Sequence, residues 1–139
     1  MTIVTKRITF DAAHILTNHA GLCKNLHGHT YHVDISLADT AADAERSDMV
    51  MDFKEIKQLA TRLITDRFDH AFIYITASPG ESEIGALVES RGMRTVPLPF
   101  RSTAENLAKL FYDELKAHIP ALVAVKVWET QDSSAEYRA

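Results

Sequence analysis

Residues 27–38 read HGHTYHVDISLA, and their side chains alternate between apolar and polar types beyond the first few positions. Tyr31, Val33, Ile35 and Leu37 share one parity, and the residues between them are polar. Because successive side chains of a strand point to opposite faces, this alternation predicts a strand with one buried face. A half-buried strand of this kind is typical of an antiparallel sheet.

A second alternating stretch precedes this strand. Residues 2–13 are predicted to form a strand, with Ile8, Phe10 and Ala12 on its buried face. Residues 15–25 contain Asn, Gly and Lys and are predicted to form the loop between the two strands. The two strands are therefore expected to be neighbours in the sheet.

The remaining elements follow from the spacing of apolar residues and from turn residues. In chain order they are a polar connection over 39–48, a helix over about 53–67, a strand over 71–75, a short strand near 93–98, a helix ending at about His118, a strand over about 121–130 and a polar tail from Gln131. Ser102 followed by Glu105 matches a capping box for the second helix. Residues 76–92 are rich in Pro and Gly and are assigned no element. The pattern predicts an α+β class, with two helices packed on one face of a mostly antiparallel sheet.

The composition limits the class of protein. The chain has 139 residues, 46% of them apolar, and a formal net charge of −4. Because globular domains take roughly 100–200 residues, we expect a single domain over residues 1–139. One cysteine excludes an internal disulfide framework, and neither a run of about 18 apolar residues nor a secretory apolar segment is visible. We therefore expect a cytoplasmic protein without a membrane partner. Scattered bases and a negative net charge argue against a nucleic-acid partner.

Histidines are concentrated near the start of the chain. Four of the 7 histidines lie between His14 and His29. His27 and His29 share the parity of the buried face of their strand, and His14 ends the first strand on its buried parity. Two neighbouring strands can thus bring three imidazoles together inside the fold. Buried imidazoles need a polar partner, and three histidines suit Zn²⁺, with the fourth tetrahedral position left for water or substrate.

The alternative is that each histidine is satisfied separately by hydrogen bonds. That interpretation is favoured for any single histidine, but not for a His-x-His pair on a buried face with a third histidine on the neighbouring strand. His32 lies on the opposite face and is excluded as a ligand, whereas parity does not exclude His19 in the loop. His118 ends a helix, where a cation suits the dipole.

Cys23 lies four residues before His27 and has two competing functional roles. As a fourth ligand it would close the metal site and make it structural. As a free thiolate near a cation it would be a base or a nucleophile. A small buried apolar residue is the third interpretation.

Three further residues are candidates for the chemistry. Asp69 can hold His70 in one tautomer for proton relay, although the dipeptide alone favours a charge pair at a helix end. Glu129 extends the face of Val123, Val125 and Val127, so a carboxylate is predicted where burial is expected. The 2-amino-4-oxo edge of a pterin or guanine would satisfy this carboxylate with two N–H donors. Solvent exposure at the end of the strand is the alternative.

Several motifs occur in the order of a known family over about residues 6–130. They are Phe10-Asp11-Ala12-Ala13-His14, Cys23-Lys24-Asn25-Leu26-His27-Gly28-His29, Val50-Met51-Asp52-Phe53, Asp69-His70, Thr103-Ala104-Glu105-Asn106 and Glu129-Thr130. Together they resemble the 6-pyruvoyltetrahydropterin synthase superfamily. The gap of three residues between Cys23 and His27 is similar to that of its bacterial branch, the 6-carboxy-5,6,7,8-tetrahydropterin synthases of queuosine biosynthesis.

The resemblance implies a T-fold and a set of site residues. It implies Zn²⁺ on His14, His27 and His29, catalysis by Cys23 with Asp69 and His70, and a pterin anchored by Glu129 with help from Thr103, Ala104 and Glu105. It also implies assembly of subunits as rings, commonly homohexamers, with active sites between subunits.

The implied reaction is a zinc-dependent lyase reaction. It converts 7,8-dihydroneopterin triphosphate to 6-carboxytetrahydropterin, acetaldehyde and triphosphate. Two alternatives stay open: triphosphate elimination alone, giving 6-pyruvoyltetrahydropterin, and a non-catalytic zinc- or pterin-binding module with Cys23 as fourth ligand.

This chain departs from the family pattern in two places. Ala71-Phe72-Ile73-Tyr74 follows the Asp-His pair, where the family usually has an apolar pair and then Leu-Asn. A longer segment, over about 76–100, precedes the second helix. Both departures concern residues expected to contact the substrate tail. A third alternative to the implied reaction is that the longer segment has redirected the site to another pterin or purine. Arg101 and Lys24 are candidates for triphosphate binding by charge alone.

Overall fold

The computed structural model describes residues 1–39 and 48–139. The polar connection expected over 39–48 falls on residues 40–47, outside the described residues, except for its two ends. The elements are β1 (Ile3–His14), a 3₁₀ turn (Leu22–Lys24), β2 (His27–Ala38), α1 (Phe53–Ala60), a π-helical turn (Thr61–Thr65), α2 (Asp66–Phe68), β3 (Ala71–Ile75), α3 (Pro79–Ser90), β4 (Thr95–Leu98), α4 (Ala104–Lys116), β5 (Leu122–Trp128) and β6 (Ser134–Arg138). Within the described ranges, we find no helix with the length and apolar character needed to cross a membrane.

The six strands form one mixed sheet in the order β4-β3-β1-β2-β5-β6. The pairs β1–β2, β2–β5 and β5–β6 are antiparallel, whereas β3 is parallel to both β1 and β4. β3 and β4 are joined through α3, and a helical crossover that returns the chain in the same direction accounts for this parallel pair. The predicted α+β class and the mostly antiparallel sheet are confirmed.

The main core lies between one face of the sheet and the helices α1, α2 and α4. The apolar face of β2 is fully buried there, at Tyr31, Val33, Ile35 and Leu37, as the alternation predicted. Phe10 of β1 stacks on Tyr31 with ring centroids 5.0 Å apart. Aromatic side chains of α2 and α4 complete this cluster. Burial of this apolar face therefore sets which side of β1 and β2 faces the helices.

Helix α3 occupies part of the segment that was assigned no element. Ser78 caps it by accepting a hydrogen bond from the backbone N–H of Glu81, and Pro79 is its first residue. α3 packs on the other face of the sheet, where Val88 contacts the cluster containing Phe72 and Tyr74 of β3. Both faces of β3 are therefore covered.

Two predictions from the sequence, the cap of α4 and the polar tail of the chain, are corrected. The cap of α4 is Thr103, whose hydroxyl accepts from the backbone N–H of Asn106, and not Ser102. The polar tail contains a sixth strand, β6, which pairs antiparallel with β5. Alternate residues of β6, Ala135 and Tyr137, pack against the core.

Candidate metal centre

The register of β1 and β2 brings three imidazoles together at one end of the pair. His14 lies directly opposite His27, and Ala12 lies opposite His29. Because these positions have the parity of the buried faces, all three rings point to the same side of the sheet. Their centroids are 4.6, 5.1 and 4.9 Å apart. One nitrogen of each ring lies within 4.8 Å of the others, an arrangement able to hold a metal ion.

Backbone carbonyls define the tautomers of two of these rings. The Nδ1 atom of His27 donates to Asn25 O at 2.7 Å, and that of His14 donates to Ser102 O at 3.1 Å. With Nδ1 protonated, each ring presents the Nε2 lone pair. These two Nε2 atoms are only 3.1 Å apart. Two lone pairs at this distance repel each other unless a cation lies between them.

The Nε2 atom of His29 is buried and makes no hydrogen bond to any part of the chain that the structure describes. It lies 3.1 Å from the Oε1 atom of Glu129, a distance compatible with an ion pair but without the geometry of a hydrogen bond. An orphaned ring nitrogen next to two converging Nε2 atoms fits a metal better than a set of separate hydrogen bonds.

Burial favours the neutral form of two of these rings, His14 and His29. It lowers the pKa of His14 from 6.5 to about 4, with further lowering from the nearby His27 and His29. The pKa of His29 is also lowered, chiefly by burial, although Glu129 acts in the opposite direction. Since only a neutral imidazole binds a metal, the lowered pKa values of His14 and His29 favour their ligating form at pH 7.

Ser102, which the sequence predicts as a helix cap, belongs to this centre. It is buried, and its hydroxyl oxygen lies 3.0 Å from Nδ1 of His14, beside its own carbonyl. The adjacent motif residues have different environments: Thr103 caps α4, Ala104 is buried and Glu105 is exposed. The sequence does carry one signal for this role: Ser102 and Thr103 are adjacent hydroxyl residues before a helix, and only one of them can be its cap.

Glu129 comes directly after β5, and its backbone N–H donates to Ser133 O at 3.1 Å in the turn to β6. Its side chain is 23% exposed and lies on the same side of the sheet as the three histidines. A carboxylate at the rim of the histidine group can accept N–H donors from a bound ligand.

Cys23 lies in the 3₁₀ turn and is half-buried. Its carbonyl accepts from Leu16 N at 2.9 Å, which ties the loop back to the end of β1. Among the described residues, the group of ligand atoms formed by the three histidines does not include the Cys23 thiol.

Asp69 and His70 form a second group, on the other face of the sheet. Oδ1 of Asp69 accepts from Asp11 N at 3.0 Å and lies 3.0 Å from Nδ1 of His70. The pKa of Asp69 is lowered, first by the backbone N–H of Asp11 and then by His70. Because Asp11 and His14 have opposite parity, their side chains point to opposite faces. Within one chain the Asp-His pair is thus separated by the sheet from the three imidazoles.

The Asp-His pair borders a groove of about 580 Å³ between the sheet and α3. Apolar side chains, including Phe72, Val88 and Met93, line much of this groove. The guanidinium of Arg94 donates to Asp69 O at 2.8 Å. A groove with an imidazole and a guanidinium at its edge is suited to a ligand or a partner with both apolar and polar groups.

The other candidate residues are not members of either group. Nδ1 of His32 lies 3.0 Å from Thr9 Oγ1 on the polar face, and His19 accepts from the backbone N–H two residues further on. His118 is exposed after α4. Arg101 forms an ion pair with Glu81 at 3.3 Å.

Comparison with known proteins identifies the family. The profile of the 6-pyruvoyl tetrahydropterin synthase family matches residues 3–139. The chain is 36% identical over 137 residues to the 6-carboxy-5,6,7,8-tetrahydropterin synthase of Haemophilus influenzae, covering 97% of each chain. It is 39% identical over 126 residues to a protein of the same name from Aquifex aeolicus, covering 84% of this chain and 75% of the relative.

A solved structure supports the same fold. An uncharacterized protein of Wolinella succinogenes has a TM-score of 0.77 at 19% identity, over 99% of this chain and 97% of that one. The sheet and its helices are therefore those of a T-fold. The chain belongs to the 6-pyruvoyl tetrahydropterin synthase family, and the resemblance drawn from its motifs is confirmed.

Proposed function

We propose that the protein is a zinc-dependent 6-carboxy-5,6,7,8-tetrahydropterin synthase that acts in the cytoplasm in queuosine biosynthesis. The observation that carries the proposal is the group of His14, which is buried, with the half-buried His27 and His29, because their Nε2 atoms converge without hydrogen-bond donors between them. Two relatives that carry this activity in their names, at 36% and 39% identity, support the choice of reaction.

The three histidines would hold Zn²⁺ through Nε2, with Ser102 O and Asn25 O holding the rings of His14 and His27 from behind. When bound, Zn²⁺ supplies Lewis-acid polarisation of the side-chain oxygens of the substrate, which makes the adjacent protons easier to remove.

The substrate ring is held by residues at the rim of this centre. Glu129 accepts the 2-amino and ring N–H donors of the pterin, which places the side chain of the substrate near the histidines. Thr103, Ala104 and Glu105 begin α4 next to Ser102, and backbone N–H groups in this first turn are suited to the oxygen atoms of the pterin. Glu105 is exposed and available to a ligand.

Two residues move protons. Cys23, as the thiolate, takes a proton from the side chain of the substrate, and His70, oriented by Asp69, returns or relays one. The hydrogen bonds of Asp69 to Asp11 N and to His70 keep that carboxylate ionised and the imidazole oriented.

The complete site requires more than one copy of the chain. The three histidines lie on one side of the sheet and His70 on the other, so a single chain does not bring them together. We propose a homohexamer in which the Asp-His pair of one subunit meets the histidine group of another.

The proposed reaction balances without an external oxidant or reductant. The substrate 7,8-dihydroneopterin triphosphate takes up one water, the bond between the first two side-chain carbons breaks, and the triphosphate leaves. The two distal carbons leave as acetaldehyde. The first side-chain carbon is oxidised to the carboxylate while the ring is reduced from dihydro- to tetrahydropterin.

The first test is product analysis. Purified zinc-loaded protein is incubated with 7,8-dihydroneopterin triphosphate, and the products are identified by mass spectrometry after acetaldehyde has been trapped with a hydrazine. We expect 6-carboxytetrahydropterin and one acetaldehyde per turnover. Formation of 6-pyruvoyltetrahydropterin without acetaldehyde would assign triphosphate elimination instead. Absence of turnover with zinc and pterin bound would identify a binding module.

The second test addresses the roles of Cys23 and His70. Cys23→Ala should retain bound zinc and lose turnover, whereas loss of the metal with the thiol would indicate a closed structural site. A mixture of Cys23→Ala and His70→Ala subunits, refolded together, should regain part of the activity, because some sites then receive both native residues. If the mixture stays as inactive as either variant alone, a site between subunits is refuted.

A further inference from the structure

Glu81 of α3 is a buried carboxylate that the proposed reaction does not use. Its side chain is 1% exposed, and a buried carboxylate is costly unless it is paired and hydrogen-bonded. Oε2 accepts from Thr17 Oγ1 at 2.8 Å and lies 3.3 Å from Nη1 of Arg101, and Oε1 accepts from Ile75 N at 3.3 Å. One carboxylate therefore joins three separate segments of the chain to α3.

Two of these segments lead directly to the histidine group. Thr17 comes three residues after His14, and Arg101 directly precedes Ser102. Ser102 supplies both its carbonyl and its hydroxyl oxygen to Nδ1 of His14, at 3.1 and 3.0 Å. Arg101 also donates to Thr17 Oγ1 at 3.2 Å, which closes a triangle of contacts with Glu81. The triangle joins the segment of the ligand to the segment of its hydrogen-bond acceptor.

The segment around Ser102 is held from its other side by α4. Nδ2 of Asn106 donates to Arg101 O at 3.0 Å, and the backbone N–H of Asn106 donates to Thr103 Oγ1 at 3.3 Å. Ser102 thus lies between two anchored neighbours and is itself 2% exposed. Its position relative to His14 depends on where Glu81 holds Arg101.

Glu81 is in turn placed by a tightly seated helix. Ser78 caps α3 through the N–H of Glu81. One helical turn further on, Gly85 allows α3 to approach Tyr74 so closely that a Cβ atom would overlap the aromatic ring. The helix therefore has little freedom to shift along β3.

We propose that Glu81 and Arg101 form a positioning pair for the metal centre. The pair keeps Ser102 where it accepts the Nδ1 proton of His14, so that the Nε2 lone pair of His14 is directed at the metal. The assignment of a metal to this group rests on the proposed function. The positioning of His14 itself is a property of the metal-free protein and can be tested separately.

The main variant is Glu81→Gln, which keeps the shape of the side chain and removes its charge. Two properties of the full-length protein are measured: the His14 tautomer, by ¹⁵N NMR of the metal-free form, and the Zn²⁺ dissociation constant, by competition with a chelator. We expect the Nδ1–H form of His14 to lose its dominance and Zn²⁺ binding to weaken by about 3–10-fold, below the roughly 10–100-fold typical of a direct partner of a ligand.

Two controls separate positioning from general loss of stability. Ile119→Val removes one buried methyl group beyond the C-terminal end of α4, costs about 1 kcal/mol, and should leave both the tautomer and zinc binding unchanged. Arg101→Gln should reproduce the effect of Glu81→Gln, and the double variant should bind zinc no more weakly than either single variant. If Glu81→Gln does not fold, Thr17→Val at an exposed residue removes one member of the triangle and should change both readouts in the same direction.

The outcomes are distinct. A wild-type tautomer and zinc affinity in Glu81→Gln would overturn the inference, as would an equal loss of zinc affinity in Ile119→Val. A wild-type protein that binds no Zn²⁺ would refute the proposed function. In that case the tautomer of His14 in the metal-free protein still decides whether Glu81 positions it.

Discussion

Replacing Gly85 with alanine should displace α3 from the sheet. A Cβ atom at this position would overlap the ring of Tyr74, which is 8% exposed and stacked on Phe72 with ring centroids 5.6 Å apart. Since the ring cannot move freely, we take the upper end of the roughly 1–3 kcal/mol that overpacking costs. Alanine has a higher helix propensity than glycine, which stabilises the helix by about 1 kcal/mol. The expected net loss is therefore about 2 kcal/mol of unfolding free energy.

Gly80 provides the matched control, because it lies in the same helix and has no heavy atom within 4 Å of the position of an added Cβ. Gly80→Ala should be neutral or stabilising by about 0.5 kcal/mol. The two alanine variants should thus differ by about 2.5 kcal/mol, or about 10 °C in Tm for a domain of this size. Urea unfolding followed by circular dichroism, at one protein concentration, measures the difference. Equal stability of the two variants would refute the close seating of α3 on Tyr74.

Three further predictions concern the histidine group, the ion pair between Arg7 and Asp34, and the start of α4. His29→Ala should raise the Zn²⁺ dissociation constant by more than about 100-fold, because even an outer partner of a ligand is worth roughly 10–100-fold. His32→Ala, on the opposite face of β2, should leave it unchanged; metal analysis after dialysis that finds equal loss in both variants would exclude His29 as a ligand. The hydrogen bond from Arg7 lowers the pKa of Asp34 below its ordinary 3.8, so this carboxylate stabilises the fold above that pH and the contribution disappears as the pH falls through the lowered pKa. Urea midpoints should therefore show Asp34→Asn less stable than wild type at pH 7 and equal to it in strong acid, and a constant difference would contradict this account. Thr103→Ala removes the cap of α4 and should cost about 1 kcal/mol in the same assay; an unchanged midpoint would show that its hydroxyl does not cap the helix.

The strands of the central pair could be predicted from sequence because their alternation carries the signal. β2 begins and ends at the predicted residues, His27 and Ala38, and the buried parity of Ile8, Phe10 and Ala12 in β1 is confirmed. The convergence of the three imidazoles follows from the same parity and from the antiparallel register.

Other elements gave weak local signals. α3 carries Pro79 and two glycines, residues typical of turns, although here the proline begins the helix and Gly85 permits its close packing. β6 is an edge strand with polar residues at alternate positions, and only Ala135 and Tyr137 reach the core. Such elements are stabilised by tertiary contacts more than by their own apolar pattern.

Beyond the β1–β2 pair, the contacts between segments that complete the site could not be predicted from sequence. The buried parity of Glu129 agrees with its location beside His29. The hydrogen bond between Ser102 and His14 joins residues 88 positions apart and leaves no trace in local spacing. The same holds for Asp69, whose partner Asp11 is 58 positions away, and for the separation of the Asp-His pair from the histidine group by the sheet.

Among residues 1–39 and 48–139, His70 is the one non-glycine residue with a left-handed backbone conformation, at φ 61°. That conformation costs a residue other than glycine about 1–2 kcal/mol. A library screened only for heat resistance should therefore become enriched in His70→Gly, whereas a library screened for turnover should keep the imidazole. Opposite outcomes in the two screens would show that the protein gives up unfolding free energy to keep one imidazole at the edge of its groove.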